Sequence, residues 1–156
     1  MKKLAAVLGL ASVLALSGAA QARELTLTSE LKNYSGNEAY LAFYVTDANG
    51  QYQSTLWVAG KKAKYYKHLR DWARGSGLSP SEYDGISGAS ATSGRTLNVT
   101  VQVDDALLDA GYQIRVDSAV EDQRDNRADV TVPLTTAGAG QPVAGRGYIQ
   151  SFKYDF

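Results

Sequence analysis

Apolar and polar residues alternate along most of the chain, and the places where the alternation stops divide it into about seven strands and one helix. Leu25, Leu27 and Leu31 stand among Glu24, Thr26 and Thr28, the period of a half-buried strand. Tyr40 to Val45 is a second strand, dense in aromatic and branched residues. Asp47-Ala48-Asn49-Gly50 then supplies Asn-Gly, the strongest short hairpin signal, and Tyr52 to Val58 returns as the third strand. Leu97, Val99, Val101 and Val103 alternate with Asn98, Thr100 and Gln102, the cleanest strand of all. Through Asp104-Asp105 and Asp109-Ala110-Gly111 it leads to Tyr112–Val116, which runs on towards Val120, so the pair reads as a hairpin. Glu121 to Arg127 is a charged hairpin tip or loop. Val130 to Leu134 is a short strand that Pro133 confines to a sheet edge. Thr135 to Gly145 is a Gly-rich loop, and Gly147 to Tyr154 closes the chain.

Between the third strand and the strand at Leu97 the period changes. Tyr65, Leu69 and Trp72 fall at i, i+4 and i+7, one face of an amphipathic helix over Lys61 to Arg74 that Gly75-Ser76-Gly77 ends. Lys61, Lys62, Lys64, Lys67, Arg70 and Arg74 form its solvated face, which also offers a dock for an acidic partner or a counter-charge for a phosphate. His68 reads as a packing or surface histidine. Leu78 to Gly94 is a long Ser- and Gly-rich loop, a length that in a compact domain points to function or disorder. Short strands at regular intervals with one short helix inserted before the central loop predict an all-β fold, an immunoglobulin-like antiparallel β-sandwich.

Composition narrows the setting. Of the 156 residues the first 22 carry a basic start (Lys2-Lys3), an apolar run from Leu4 to Leu16 and a small-residue Ala20-Gln21-Ala22. They read as a secretory signal peptide, and 23–156 as a single domain. The apolar run is shorter than the roughly 20 residues that span a membrane. Residues 23–156 hold 14 basic and 16 acidic side chains, so no basic excess suggests nucleic acid or an anionic surface. With no cysteine and a single histidine, disulfides and thiolate metal sites are excluded and a zinc or copper centre is disfavoured.

The candidate chemistry lies in the long loop. Asp84-Gly85-Ile86-Ser87-Gly88-Ala89-Ser90 has the form Asp-x-x-Ser-Gly-Ala-Ser and resembles the attachment motif of periplasmic flavin transferases, which join FMN through its phosphate to a Ser or Thr hydroxyl. Such a hydroxyl has to be exposed and closely approachable. Gly88 and Ala89 leave little bulk beside Ser90, and Gly88 permits unusual backbone shapes. Asp84 can engage the transferase's metal ion or orient a donor group. Ser87 and Thr92 are the alternative acceptors, and Tyr83, Trp72 and Tyr66 the candidates to stack on a flavin ring. An ordinary surface turn is the rival reading of the same residues.

Taken with Tyr40–Val45, Asp47–Gly50, Ser54–Val58, Leu69–Trp72 and Ala110-Gly111-Tyr112, the chain resembles the periplasmic family called domain of unknown function 2271. The segment Leu97 to Tyr112 also looks like the immunoglobulin-like domain of flagellar hook-cap proteins. The family resemblance implies an exported flavoprotein with FMN covalently held at Ser90, served by a flavin transferase and by a PepSY-type membrane redox protein. It implies electron transfer outside the cytoplasm, tied to iron assimilation or respiration, more than a stand-alone enzyme. Ser stands where Thr is commoner in the motif, and Val103-Asp104 where a Trp-Asp pair is frequent. The alternative from the residues is a non-catalytic binding module that docks an envelope partner.

Overall fold

The computed structural model describes residues 21–156. The signal-peptide reading falls almost wholly on residues 1–20, outside the described ones. Eight strands form two sheets: β1 (Ala22–Leu31) lies between β5 (Thr96–Asp104) and β8 (Ile149–Asp155), all antiparallel. The other sheet runs β4 (Ser87–Gly88), β3 (Tyr52–Ala59), β2 (Ala39–Thr46), β6 (Gln113–Val120), β7 (Asn126–Pro133). Mostly β, two-sheeted and with one short helix, the protein meets the expected class at that level.

The predicted alternation is what joins the sheets. Leu25, Leu27, Phe152 and Tyr154 from one meet Leu41, Phe43, Val45, Ile114 and Val116 from the other, all buried, with the Phe43 and Phe152 rings stacked at 6.2 Å. Burying each such side chain contributes about 1.5–3 kcal/mol. β2 and β3 form the expected hairpin: the Asp47 carboxylate accepts from the Asn49 and Gln51 amides, both at 2.9 Å, and Gly50 takes φ 79°. Pro133 ends β7 at a sheet edge, also as expected.

Two expectations need correction. Leu97 to Tyr112 is no hairpin, because β5 pairs with β1 whereas β6 pairs with β2 and β7. Residues 105–112 cross from one sheet to the other. The single helix is also two pieces, a 3₁₀ helix over Ala63–His68 and α1 over Arg70–Ser76, broken at Leu69. Three residues per turn in the first piece replace the expected i, i+4, i+7 face with Tyr66, Leu69 and Trp72, all buried, while Tyr65 stays half-exposed.

These helices roof the outer face of the five-stranded sheet over Ala42, Tyr44, Val58 and Ala119. That second cover explains the unbroken apolar run in β2, which is buried on both sides. A side chain from the sheet fixes the roof. Asp117 in β6 accepts from the Asp71 and Trp72 amides in the first turn of α1 (2.8 and 2.9 Å), from the Ala128 amide (2.8 Å) and from the Tyr44 hydroxyl (2.9 Å). The helix therefore receives from a distant strand the cap that its own Leu69 cannot give. Burial pushes the Asp117 carboxyl up, and the hydrogen bonds pull against it.

Candidate functional site

The loop at 78–94 is more ordered than its composition suggests. A 3₁₀ turn at Pro80–Glu82 carries the chain to Asp84, which is exposed, and Gly85 takes φ 80°. Ser87 and Gly88 then form β4, parallel to Val58 and Ala59 on the edge of β3. The Val58 amide donates to the Ile86 carbonyl at 3.0 Å and the Gly60 amide to that of Gly88 at 2.8 Å. Three residues later Ala91 is buried and exchanges two backbone hydrogen bonds with Ala39, at 2.7 and 2.8 Å. Ala89 and Ser90 span the gap between these anchors. Ala89 is exposed and Ser90 half-buried.

Glycine at 88 has a different cause from the one its composition suggested. Its φ lies outside the left-handed region, and a Cβ there would meet Cζ2 of Trp57 at 2.7 Å. Contact with the Trp57 ring, rather than an unusual backbone shape, excludes a side chain.

The Ser90 hydroxyl donates to Oε2 of Glu38, and the Thr92 hydroxyl to Oε1 of the same carboxylate at 3.2 Å. Glu38 is exposed, one residue before β2. A hydroxyl bonded to a carboxylate is the arrangement of a nucleophile beside its base. Ser87 is exposed without such a partner among the described hydrogen bonds, and Ser93 is turned inward to the backbone of Tyr34 (2.9 and 2.8 Å). The structure thus brings Ser90, Ala89 and Thr92 around Glu38. It does not bring in Asp84, which shares no hydrogen bond with Ser90 among the described residues. Glu38 escapes sequence reasoning because its partner hydroxyls lie more than 50 residues away.

Ser90 and Glu38 stand on the wall of an open bay of about 490 Å³, which Lys61, Lys62, Tyr40 and Tyr65 also line. The Tyr65 hydroxyl donates to Glu121 at 2.8 Å, and the Tyr40 and Tyr65 rings meet edge to face at 5.5 Å. Gly60 makes this possible, since a Cβ there would run into the Tyr40 ring. The aromatic residues suggested by the sequence are elsewhere engaged. Trp72 is fully buried with Nε1 donating to Thr55 at 2.9 Å, Tyr66 donates to the Gly60 carbonyl at 2.6 Å, and Tyr83 lies edge-on to both rings. Core packing, the plain reading of Trp72, is what the structure gives.

A larger depression of about 800 Å³ lies beside His68, Arg70, Arg127 and Arg146. All four groups already have partners: His68 and Arg70 meet Asp125 at 3.2 and 2.8 Å, Arg127 meets Asp71 at 3.7 Å, and Arg146 donates to the Ala128 carbonyl at 2.8 Å. Its lining residues include no tyrosine, tryptophan or phenylalanine and no hydroxyl side chain. The Ser90 bay carries the better chemistry.

Among known proteins, a family model described as "Predicted periplasmic protein (DUF2271)" matches residues 22–151. No curated protein and no solved structure gives a match.

Proposed function

The chain belongs to the DUF2271 family of periplasmic proteins, and on that premise we propose that it carries FMN as a phosphoester on Ser90 and serves in electron transfer outside the cytoplasm. The observation that carries this reading is the Ser90 hydroxyl itself, presented between two backbone anchors, beside the methyl-sized Ala89, and bonded to a carboxylate. Those residues fit a phosphoester acceptor. The flavin would supply the electron-transfer chemistry, and the protein its position. A covalent tether suits a compartment in which a weakly held cofactor diffuses away.

In the attachment step Ser90 Oγ bonds the flavin-side phosphorus of a flavin adenine dinucleotide held by a transferase. Its proton passes to Glu38, the phosphoanhydride bond breaks, and AMP leaves with the bridging oxygen. No electrons move. Asp84, exposed at the start of the motif, is free to meet the transferase. A PepSY-type membrane protein is the redox partner that the reading calls for. The strand pairing supports an immunoglobulin-like assignment as well: β2 pairs with β6 and β6 with β7, as in the C, F and G strands, while β1 pairs with β5 as B does with E.

Coexpression with a flavin transferase tests the reading. Peptide mass spectrometry of residues 75–95 should place one FMN on Ser90, and Ser90→Ala should leave the peptide bare. A colourless, unmodified protein refutes the proposal and leaves an envelope-binding module.

A further inference from the structure

We propose that the bay beside Ser90 is the seat of the flavin, with Lys61 and Lys62 holding the phosphodiester and Tyr65 and Tyr40 receiving the isoalloxazine ring. This rests on attachment at Ser90 and adds where the attached group lies.

Charge comes first. A phosphodiester at Ser90 is an anion next to Glu38, and an unrelieved like-charge pair is unfavourable. Lys61 and Lys62 line the same bay, are exposed, and have no ion-pair partner among the described residues. The other acid there, Glu121, is already satisfied by the Tyr65 hydroxyl at 2.8 Å and the Asn37 amide at 3.2 Å. The free positive charge therefore lies where a phosphoester would need it.

The aromatic side follows. Planar flavin rings are held by aromatic faces and edges, which add to simple area burial. Tyr40 and Tyr65 line the bay, whereas Trp72 and Tyr66 are sealed beneath the roof. Glu121 holds Tyr65 by its hydroxyl and the Tyr40 ring packs against it edge to face, so the ring is set before any ligand arrives. Its present cover is the Lys64 ammonium, 4.9 Å from the ring centre, on an exposed side chain that a flavin would displace. A smaller cleft of about 210 Å³ shares Tyr40, Tyr65 and Glu121 with the bay and is lined further by Ala119 and Val120 and by the polar His68, Asp122 and Gln123. Gly60 links site and seat: its amide bonds the attachment strand at Gly88, and its missing side chain makes room for Tyr40.

The test uses the full chain, coexpressed with a flavin transferase and purified with its flavin. Covalent FMN per chain is read by intact mass, and ring contact by flavin fluorescence yield and anisotropy. In the unaltered protein the flavin should be strongly quenched and should rotate with the protein. Tyr65→Leu should keep one FMN per chain and raise the emission several-fold. Lys61→Glu combined with Lys62→Glu should lower anisotropy, with circular dichroism confirming the fold. A loaded protein whose flavin is as bright and mobile as free FMN, and indifferent to Tyr65→Leu, overturns the seat alone. A chain that never takes up FMN overturns both the seat and the attachment.

Discussion

Asp117 and Glu38 each gather donors from distant parts of the chain, and their settings could hardly differ more. Asp117 is fully buried, and its four donors come from a helix, a neighbouring strand and a tyrosine. Glu38 is exposed, and its two donors are hydroxyls on one loop. In the interior each unmet donor keeps most of its desolvation cost, whereas at the surface water replaces a lost partner. The buried carboxylate therefore holds structure together, and the exposed one is free to change partners. Tyr44 shows the same contrast: burial and the nearby Asp117 push its phenol far up, so it remains a donor at every ordinary pH.

The contrast is open to direct attack. Asp117→Ala should cost about 4 kcal/mol in denaturant unfolding, since it strands several buried donors and uncaps α1. A loss under about 1 kcal/mol would show that water reaches the site and remove the distinction. Gly88→Ala should cost about 1–3 kcal/mol, because the Trp57 ring must yield to the new methyl, and should slow flavin attachment by moving Ser90. Glu38→Gln should alter stability by no more than about 0.5 kcal/mol, as surface changes do. Its effect belongs to chemistry: single-turnover attachment should slow by about 10² or more, the usual share of a general base. An unchanged rate would assign proton removal to the transferase. Combining Asp117→Asn with Glu38→Gln should give stability losses that add to within about 0.5 kcal/mol, and a larger coupling would mean that the two nodes share strain.

Much of the fold was legible because strand alternation is a local signal. Leu25 and Leu27, or Val99 to Val103, declare a core face without reference to any partner, and Asp47 to Gly50 contains its own turn chemistry. The route between β5 and β6 was not, since two adjacent strands joined by a polar turn look alike whether they pair or part. Tyr66 takes the buried place that a period of 3.6 gives to Tyr65, because three residues per turn hold there. At the candidate site the hydroxyl was legible and its surroundings were not. Glu38, Lys61 and Tyr65 meet Ser90 only through the pairing of β2, β3 and β4, which no window of sequence contains. Gly88 looked like flexibility, and its reason is the ring of Trp57.

The pairing of β4 along β3 also bears on how the molecules live beside one another. An outermost strand offers its free amides and carbonyls to any chain that can lie against it. Here Ser87 and Gly88 occupy one end of that border, and the Trp72 indole reaches Thr55 further along. On the opposite border Pro133 lacks an amide to offer. The segment that leads to Ser90 thus doubles as a guard against strand addition. Deleting residues 86–89 should produce a species whose mass by light scattering climbs with concentration, a fault of crowding before it is a fault of chemistry.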